Sequence, residues 1–280
     1  MSTVDLINQN LDNMTKTESK VASYFLGHFN SFALYTLDRV ATEAGVSTTT
    51  VLRFCRRMGF NGFKDFQDSL RNDIKYQPDL PEKYNRTIGS TLKNELLAQT
   101  IQMDILCIQQ TFRDLSDERL ADAIRYIVEA KRVFCFGMRE SFALAHYTFT
   151  RLLTVRSNVF LLDAGLNGGV ESVFALTADD VCIVYTFPRY TRQAIQILSL
   201  LKKQGATVIL VTSDPCEQIE QYATLVLPCR VNAYGVKNSS AAPVCLANYF
   251  CNAVAMQYGD TALTYMKRSE ELFKETSIVL

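Results

Sequence analysis

The stretch from position 37 to position 58 reads LDRVATEAGVSTTTVLRFCRRM and decides the fold of the N-terminal third. Four apolar or small residues recur at helical spacing in its first half: Leu37, Val40, Ala41 and Ala44. Gly45 follows and suits the left-handed conformation at a helix C-terminus, and Ser47 suits the N-cap of a second helix over 48–58. Two short helices joined by Ala-Gly-Val predict a helix-turn-helix.

The second of these helices has two unlike faces. Its predicted apolar face carries Val51, Phe54, Cys55 and Met58. Residues 47–64 hold four basic residues and no acidic one, whereas the whole chain has 29 of each kind and a net charge of zero. Basic charge is therefore concentrated on this helix and just after it, where a DNA-reading helix needs it.

This basic face predicts contacts with a double-stranded DNA operator. The early part of a recognition helix approaches base edges, so Thr48, Thr49 and Arg53 are expected to read bases. The later cations suit phosphate contacts. The full set of expected DNA contacts is Ser47, Thr48, Thr49, Thr50, Arg53, Arg56, Arg57 and Lys64. The competing interpretation is a helical hairpin with a solvated basic face.

Helical patterns continue on both sides of this motif. A helix is predicted over 15–29, where Thr15 and Glu18 have the spacing of a capping box, and another over 63–74. The pattern breaks down from Tyr76 to Ser90, which contains Pro78, Pro81 and Gly89, and a long helix is predicted over 91–112. We expect three segments: a helix-turn-helix domain over 1–75, a linker and connecting helix over 76–115, and a second domain over 116–280.

Beyond residue 130 the chain alternates between short apolar runs and helical patterns. The apolar runs are predicted strands: 133–136, 159–162, 181–187, 207–211 and 225–227. Short, fully apolar strands separated by helices are typical of a buried parallel sheet. The sequence therefore predicts a C-terminal α/β domain with a doubly wound five-stranded parallel sheet.

The block from Leu37 to Phe66 resembles the N-terminal domain of the RpiR family of bacterial transcriptional regulators, through the pattern VS-x-x-TV-x-RF-x-RR-x-GF-x-GF-x-x-F. The resemblance implies that the second domain is a sugar isomerase (SIS) domain that senses a small effector, such as a sugar phosphate. SIS domains typically carry S-x-S-G-x-T after the third strand. This chain keeps hydroxyls at Thr186 and Thr191 but places Pro188-Arg189 where that motif has Ser-Gly.

Effector-binding residues are expected in the loops at the carboxyl ends of the strands, where open parallel sheets bind ligands. Arg189, with Arg139, is expected to bind an anion through its guanidinium. The candidates are Gly137, Arg139, Ser141, Thr186, Arg189, Tyr190, Thr191 and Ser239. A dinucleotide site is not expected, because the first turn has one glycine where G-x-G-x-x-G has three.

No catalytic residues, cofactor or metal are predicted. Glu140, His146 and Glu171 form no defensible acid–base constellation, and two histidines and eight cysteines without a C-x-x-C pair suggest neither zinc nor a disulfide framework. The uncharged stretch from Asn238 to Gly259 has too few apolar residues for the ~20 of a membrane span, and is read as a buried helix at a core or interface.

The expectation is a cytoplasmic regulator that acts as a homodimer or homotetramer, because one recognition helix covers only one half-site. Two alternatives stay open at this point. The first is a sugar-phosphate isomerase with an accessory helical domain. The second is a regulator whose α/β domain has lost its ligand and serves only for dimerisation.

Overall fold

The structure of the chain is a computed structural model that describes residues 3–10, 14–27, 35–75, 80–86, 88, 94–163, 169–213 and 217–276. The chain divides into two compact units, Met1–Pro78 and Asp79–Leu280. Among the described residues, the regular elements of the first unit are all helices, and the second unit is built on a sheet, as the sequence predicts. His28, which the sequence places on the apolar face of the first predicted helix, lies outside the described residues.

The N-terminal unit consists of helices around a small apolar core. Its helices are α1 (Thr3–Asn10), α2 (Lys16–Gly27), α3 (Leu37–Glu43), α4 (Thr48–Arg57) and α5 (Phe63–Lys75). Three aromatic rings surround Phe66 in edge-on contacts, with centroids 5.6 Å away for Phe25, 5.9 Å for Phe54 and 5.1 Å for Phe60. Such contacts join α2, α4 and α5, so the core fixes the helix that carries the basic face.

The turn between α3 and α4 has the geometry that the sequence predicts. Gly45 adopts φ +64°, in the left-handed region where a side chain would be strained. The amide of Val46 donates to the Ala41 carbonyl (2.9 Å), and this bond closes α3. Ser47 then caps α4, because its hydroxyl accepts from the Thr50 amide at 3.2 Å.

The C-terminal unit contains one five-stranded sheet with helices on both faces. Its strands are β1 (Arg132–Gly137), β2 (Val159–Leu161), β3 (Asp180–Tyr185), β4 (Thr207–Thr212) and β5 (Leu225–Pro228). All pairs are parallel, in the order β2-β1-β3-β4-β5. Gly137, the last residue of β1, pairs with Tyr185, the last residue of β3. The loops that follow these two strands therefore start side by side.

The helices of this unit are α6 (Leu80–Arg86), α7 (Leu96–Asp114), α8 (Asp117–Glu129), α9 (Glu140–Leu153), α10 (Gly169–Phe174), α11 (Arg192–Lys203), α12 (Glu217–Glu220), α13 (Ala241–Tyr258) and α14 (Asp260–Glu275). Two separate apolar cores cover the sheet, one on each face. Within the 76–90 stretch, where the sequence has no helical pattern, Leu80–Arg86 is helical although Pro81 lies in it. Proline is compatible with the first turn of a helix, because the amides there have no intrahelical partner.

The uncharged C-terminal segment is the core helix α13. Ala242, Leu246, Phe250 and Val254 recur at helical spacing and are all buried in one of the two sheet cores. No helix within the described ranges combines the length and the apolar character that crossing a membrane requires.

Candidate functional site

The exposed face of α4 carries the residues expected to read DNA. Thr49, Arg53 and Arg56 are exposed, while Val51 and Phe54 on the opposite face are fully buried. Lys64, in the first turn of α5, is exposed too. A helix N-terminus carries partial positive charge, so a lysine there does not stabilise the helix by itself. Lys64 therefore adds positive charge at a position where the helix dipole does not favour it.

Two of the expected DNA contacts serve the start of α4. The hydroxyls of Ser47 and Thr50 lie 2.9 Å apart, and Thr50 is buried, with 8% of its surface exposed. Thr48 is half-buried. Sequence spacing alone does not distinguish Thr50 from its neighbours, because a residue's burial depends on how the helix packs against α2 and α5.

Arg57 has a partner that the sequence analysis missed. Its Nη1 donates to Oε2 of Glu18 on α2 at 2.7 Å, and the Glu18 side chain is buried. Burial raises the pKa of Glu18, but hydrogen bonds from Thr15 and the Arg57 guanidinium lower that pKa more, so it lies below its usual value. The capping box of Thr15 and Glu18 is confirmed, since the Thr15 amide donates to Glu18 Oε2 at 2.9 Å.

The second candidate site lies at the carboxyl edge of the sheet, where β1 turns into α9. A Cβ on Gly137 would lie 2.3 Å from the Ser141 carbonyl oxygen, so this glycine is needed for a tight turn. Arg139 has φ 54° and ψ −123°, a strained conformation for a residue other than glycine. The helix begins at Glu140, so Ser141 lies one residue inside it.

The loop between β3 and α11 adds the next group of candidates. Thr191 caps α11, because its hydroxyl accepts from the Ala194 amide at 3.1 Å, and it also contacts the Met138 sulfur at 3.8 Å. Tyr190 Oη lies 3.1 Å from Thr212 Oγ1 at the end of β4. Thr186 is buried. Arg189 is exposed, whereas Tyr190 and Thr191 are half-buried.

Three cations converge on this edge, and two of them were not expected from the sequence. Lys83, on α6, donates through Nζ to Asn238 Oδ1 at 3.3 Å. Lys237 pairs with Glu140 at 3.5 Å, and Asn238 Nδ2 donates to the Pro188 carbonyl at 3.5 Å. We call Lys83, Arg189, Lys237 and their neighbours Glu140 and Asn238 the strand-end cluster.

The electrostatics of the strand-end cluster show an excess of positive charge. Burial lowers the pKa of Lys83, and the nearby Arg189 and Lys237 lower it further, while Glu140 partly offsets them. At the opposite edge of the sheet, a buried carboxylate is paired with an arginine. There Asp180 is fully buried and accepts two hydrogen bonds from Arg132, at 2.8 Å and 2.6 Å. The buried Asp180 carboxylate is therefore paired with a cation, whereas the strand-end cluster contains three cations and one carboxylate.

Ser239, the last of the expected effector contacts, lies in the chain just after the strand-end cluster. Its hydroxyl is 2.5 Å from Asp104 Oδ1 on α7, and it also accepts from the Ala241 amide at 3.1 Å. These bonds tie the start of α13 to α7. The sequence has no local signal for this pair, because 135 residues separate its two members.

The remaining acid–base candidates do not form a group. Glu140 belongs to the strand-end cluster, His146 is exposed between the rings of Phe142 and Phe149 on α9, and Glu171 is exposed on α10. The described part of the chain contains no set of three or more His, Cys, Asp or Glu side chains suited to a metal ion.

Comparisons with known proteins identify a known domain in each of the two units. Residues 1–77 match the helix-turn-helix domain of the rpiR family, and residues 126–249 match the SIS domain. An HTH-type transcriptional regulator of Providencia stuartii is 29% identical over 230 residues, which cover 81% of this chain and 80% of that relative. The Escherichia coli regulator HexR is 24% identical over 284 residues, covering 99% and 96%.

Solved structures of other proteins share this fold. Vibrio vulnificus NanR, solved as a complex with ManNAc-6P, superposes with a TM-score of 0.58 at 18% identity, and the match covers 98% of this chain and 99% of NanR. The two domain matches and the full-length relatives place the chain in one family. It belongs to the RpiR family of DNA-binding transcriptional regulators, with an N-terminal helix-turn-helix and a C-terminal SIS domain.

Proposed function

We propose that this regulator binds an anionic metabolite, of the sugar-phosphate class, at the strand-end cluster, and that binding changes its affinity for operator DNA. One observation carries the proposal: Asn238 bonds both to Lys83 and to the Pro188 carbonyl beside Arg189, and the adjacent Lys237 pairs with Glu140, so three cations lie together at the carboxyl edge of the sheet. Ligands of open parallel sheets bind at this edge. NanR, which has the same fold, was solved with a phosphorylated sugar.

Arg189 is central to this proposal. A phosphate approached closely by backbone amides needs a glycine, and this loop has Pro188 and Arg189 instead. A guanidinium presents planar, paired donors that match a phosphate or carboxylate. The side chain of Arg189 therefore replaces the backbone as the anion-binding group, with Lys83 and Lys237 adding charge from other segments.

DNA contacts are proposed on the exposed face of α4. Thr49 and Arg53 enter the major groove and read base edges, and Arg56 and Lys64 contact phosphates. Lys64 lies at the N-terminus of α5, where helix amides also favour a phosphate. Thr50 and Arg57 already have structural partners within the unit, so we assign the main contacts to the other residues.

A dimer is proposed because one recognition helix reads one half-site. The helix α7 has a suitable face, with exposed apolar residues one turn apart at Leu97, Ile101 and Ile105. Its first four turns contain one charged residue, Asp104, which is bonded to Ser239. A second copy of this chain is the proposed occupant. Replacing Ile101 with Lys is expected to shift the mass measured by light scattering from dimer to monomer.

The C-terminal unit is proposed to sense its ligand without converting it. Glu140, the carboxylate in the strand-end cluster, is paired with Lys237 at 3.5 Å, so its negative charge already has a partner within the protein. Isomerisation requires a poised base within reach of a substrate proton. Incubating the protein with a bound sugar phosphate and following the sugar by NMR is expected to show no isomer, and steady isomer formation would establish the enzyme alternative.

The effector proposal is tested by a thermal-shift screen of the purified protein with sugar phosphates, free sugars and small inorganic anions. An anion present at about 100 times its Kd stabilises the native state by about 2.7 kcal/mol, which raises the melting temperature visibly. Arg189→Ala is expected to remove most of that shift. Arg268→Ala, a change of an exposed arginine on α14, serves as the control. Equal shifts in both variants would contradict the assignment of the site.

A further inference from the structure

The connecting helix α6 is the segment that joins the sheet-containing unit to the DNA-binding unit in sequence. The second unit begins at Asp79, and α6 spans Leu80–Arg86 immediately after it. Any change in how α6 is held must therefore act on the chain next to the unit boundary. A ligand that contacts α6 would have a direct physical route from the sheet edge to that boundary.

Two contacts hold the connecting segment to one loop of the sheet unit. Lys83 Nζ donates to Asn238 Oδ1 at 3.3 Å. Further along, Ile88 Cδ1 lies 4.0 Å from the position of a Cβ on Gly235. Both partners belong to the loop between β5 and α13 that also supplies Lys237. The connecting segment and the strand-end cluster therefore share this loop.

Electrostatics makes the position of Lys83 depend on what occupies the strand-end cluster. Arg189 and Lys237 oppose the charge of Lys83, and Glu140 attracts it. With like charges close together, holding α6 in place costs electrostatic energy. An anion bound among the three cations makes the electrostatic energy of holding α6 in place favourable, because each cation then faces a negative charge. A ligand shifts an equilibrium between two conformations only if it binds one of them more tightly. Here the two conformations are α6 held against the 229–240 loop and α6 released from it, and the contact with Lys83 makes the anion bind the held one more tightly.

We propose that Lys83 is the residue that couples effector binding to the DNA-binding unit: an anion bridging Lys83, Arg189 and Lys237 holds α6 against the 229–240 loop and so restricts the chain at the unit boundary. The proposal rests on the effector site proposed above and adds its regulation. Lys83 has two roles, because it binds the anion and also positions the connecting helix. Arg189 has one role, which is to bind the anion.

Hydrogen–deuterium exchange of the full chain tests this assignment. The probes are inorganic phosphate and N-acetylmannosamine 6-phosphate, each compared with sodium chloride at equal ionic strength. At about ten times the Kd of a probe, exchange in the loop 186–191 and in Leu80–Arg86 is expected to slow by about tenfold. Lys83→Met is expected to keep protection of the loop and lose protection of α6. Lys83→Arg is expected to retain both.

A control variant and three possible exchange results determine whether Lys83 has this role. Lys203→Met removes an exposed lysine at the far end of α11 and is expected to behave as the wild type. Protection of 186–191 without protection of α6 in the wild type would overturn the role of Lys83 and leave the effector site standing. Protection of α6 that survives in Lys83→Met would also overturn it. Absence of protection in both segments with both probes would overturn both proposals.

The coupling itself is measured as operator affinity with and without the probe. Wild-type protein is expected to change its Kd for a selected operator fragment by about tenfold, within the usual range of coupling between two sites. Lys83→Met is expected to respond to the probe by less than about twofold relative to its own affinity without probe, whereas Lys203→Met is expected to respond as the wild type does. An undiminished response in Lys83→Met would overturn the proposal.

Discussion

The recognition turn and the strand-end cluster differ in how far apart their residues lie in sequence. The turn from α3 to α4 depends on Ala41, Gly45, Ser47 and Thr50, which are neighbours in the chain. The cluster joins Lys83, Glu140, Arg189 and Lys237, which come from four different segments. A local motif is visible in a sequence, because its hydrogen bonds connect near neighbours. A cluster of distant charges becomes visible only when the topology is known.

The largest expected effect tests whether the two units are separate folding units. Phe54 is fully buried in the N-terminal core, and Phe54→Ala should cost about 3–5 kcal/mol of that unit's stability. Calorimetry is expected to show one transition that moves and one that stays. The matched change Phe250→Ala, in the core of the sheet unit, should move the other transition. A single transition that moves in both variants would contradict the independence of the units.

The second effect concerns DNA reading by α4. Arg53→Ala should weaken operator binding by about 1–3 kcal/mol and relax the base preference at one position. Lys64→Ala should weaken binding to all sequences and reduce the slope of log affinity against log salt by about one. Fluorescence anisotropy with selected DNA at several salt concentrations measures both quantities. If Arg53→Ala lowered affinity equally for every sequence, Arg53 would be a phosphate contact instead.

Loss of a helix cap in either unit is expected to have a smaller effect on stability, of similar size in both. Ser47 caps α4 and Thr191 caps α11, each through its hydroxyl. Loss of either cap by substitution with Ala should destabilise its own unit by about 1 kcal/mol. Measuring anion binding by the same variants distinguishes a helix cap from a ligand contact. Unchanged anion binding in Thr191→Ala would show that this hydroxyl is a cap, whereas a loss larger than the change in stability would make it a ligand contact.

The smallest expected effect is the dependence of the N-terminal unit's stability on pH through Glu18. The pKa of Glu18 is lowered in the folded state, so its contribution to stability is present above the usual glutamate pKa and is lost as the pH falls through the folded value. Below about pH 4.3, the ordinary glutamate value, the wild type should lose stability faster than Glu18→Gln. Denaturant unfolding of both proteins between neutral and acidic pH measures this difference. Parallel curves would show that the bond with Arg57 is not linked to protonation.

The sequence predicts the helix-turn-helix, the capping box, the five parallel strands and the buried α13 because each has a local or periodic signal. It predicts that Arg189 lies at a strand end, for the same reason. It does not predict Lys83 or Lys237 in the same cluster, since nothing in the 76–90 stretch or the 229–240 loop indicates their contact. Nor does it predict the Glu18–Arg57 pair, because burial of Glu18 depends on how α2 packs against α4.

Control of DNA binding by an anion at Arg189 is tested by the operator affinity of the wild type and of Arg189→Ala, each measured with and without N-acetylmannosamine 6-phosphate and glucose 6-phosphate. At least one of these phosphates is expected to change the wild-type Kd by about tenfold and to change that of Arg189→Ala by less than about twofold. Both proteins should bind the operator equally without phosphate, because Arg189 lies outside the DNA-binding unit. An equal response in both proteins, or binding of a sugar phosphate that leaves operator affinity unchanged, would contradict control of DNA binding at Arg189.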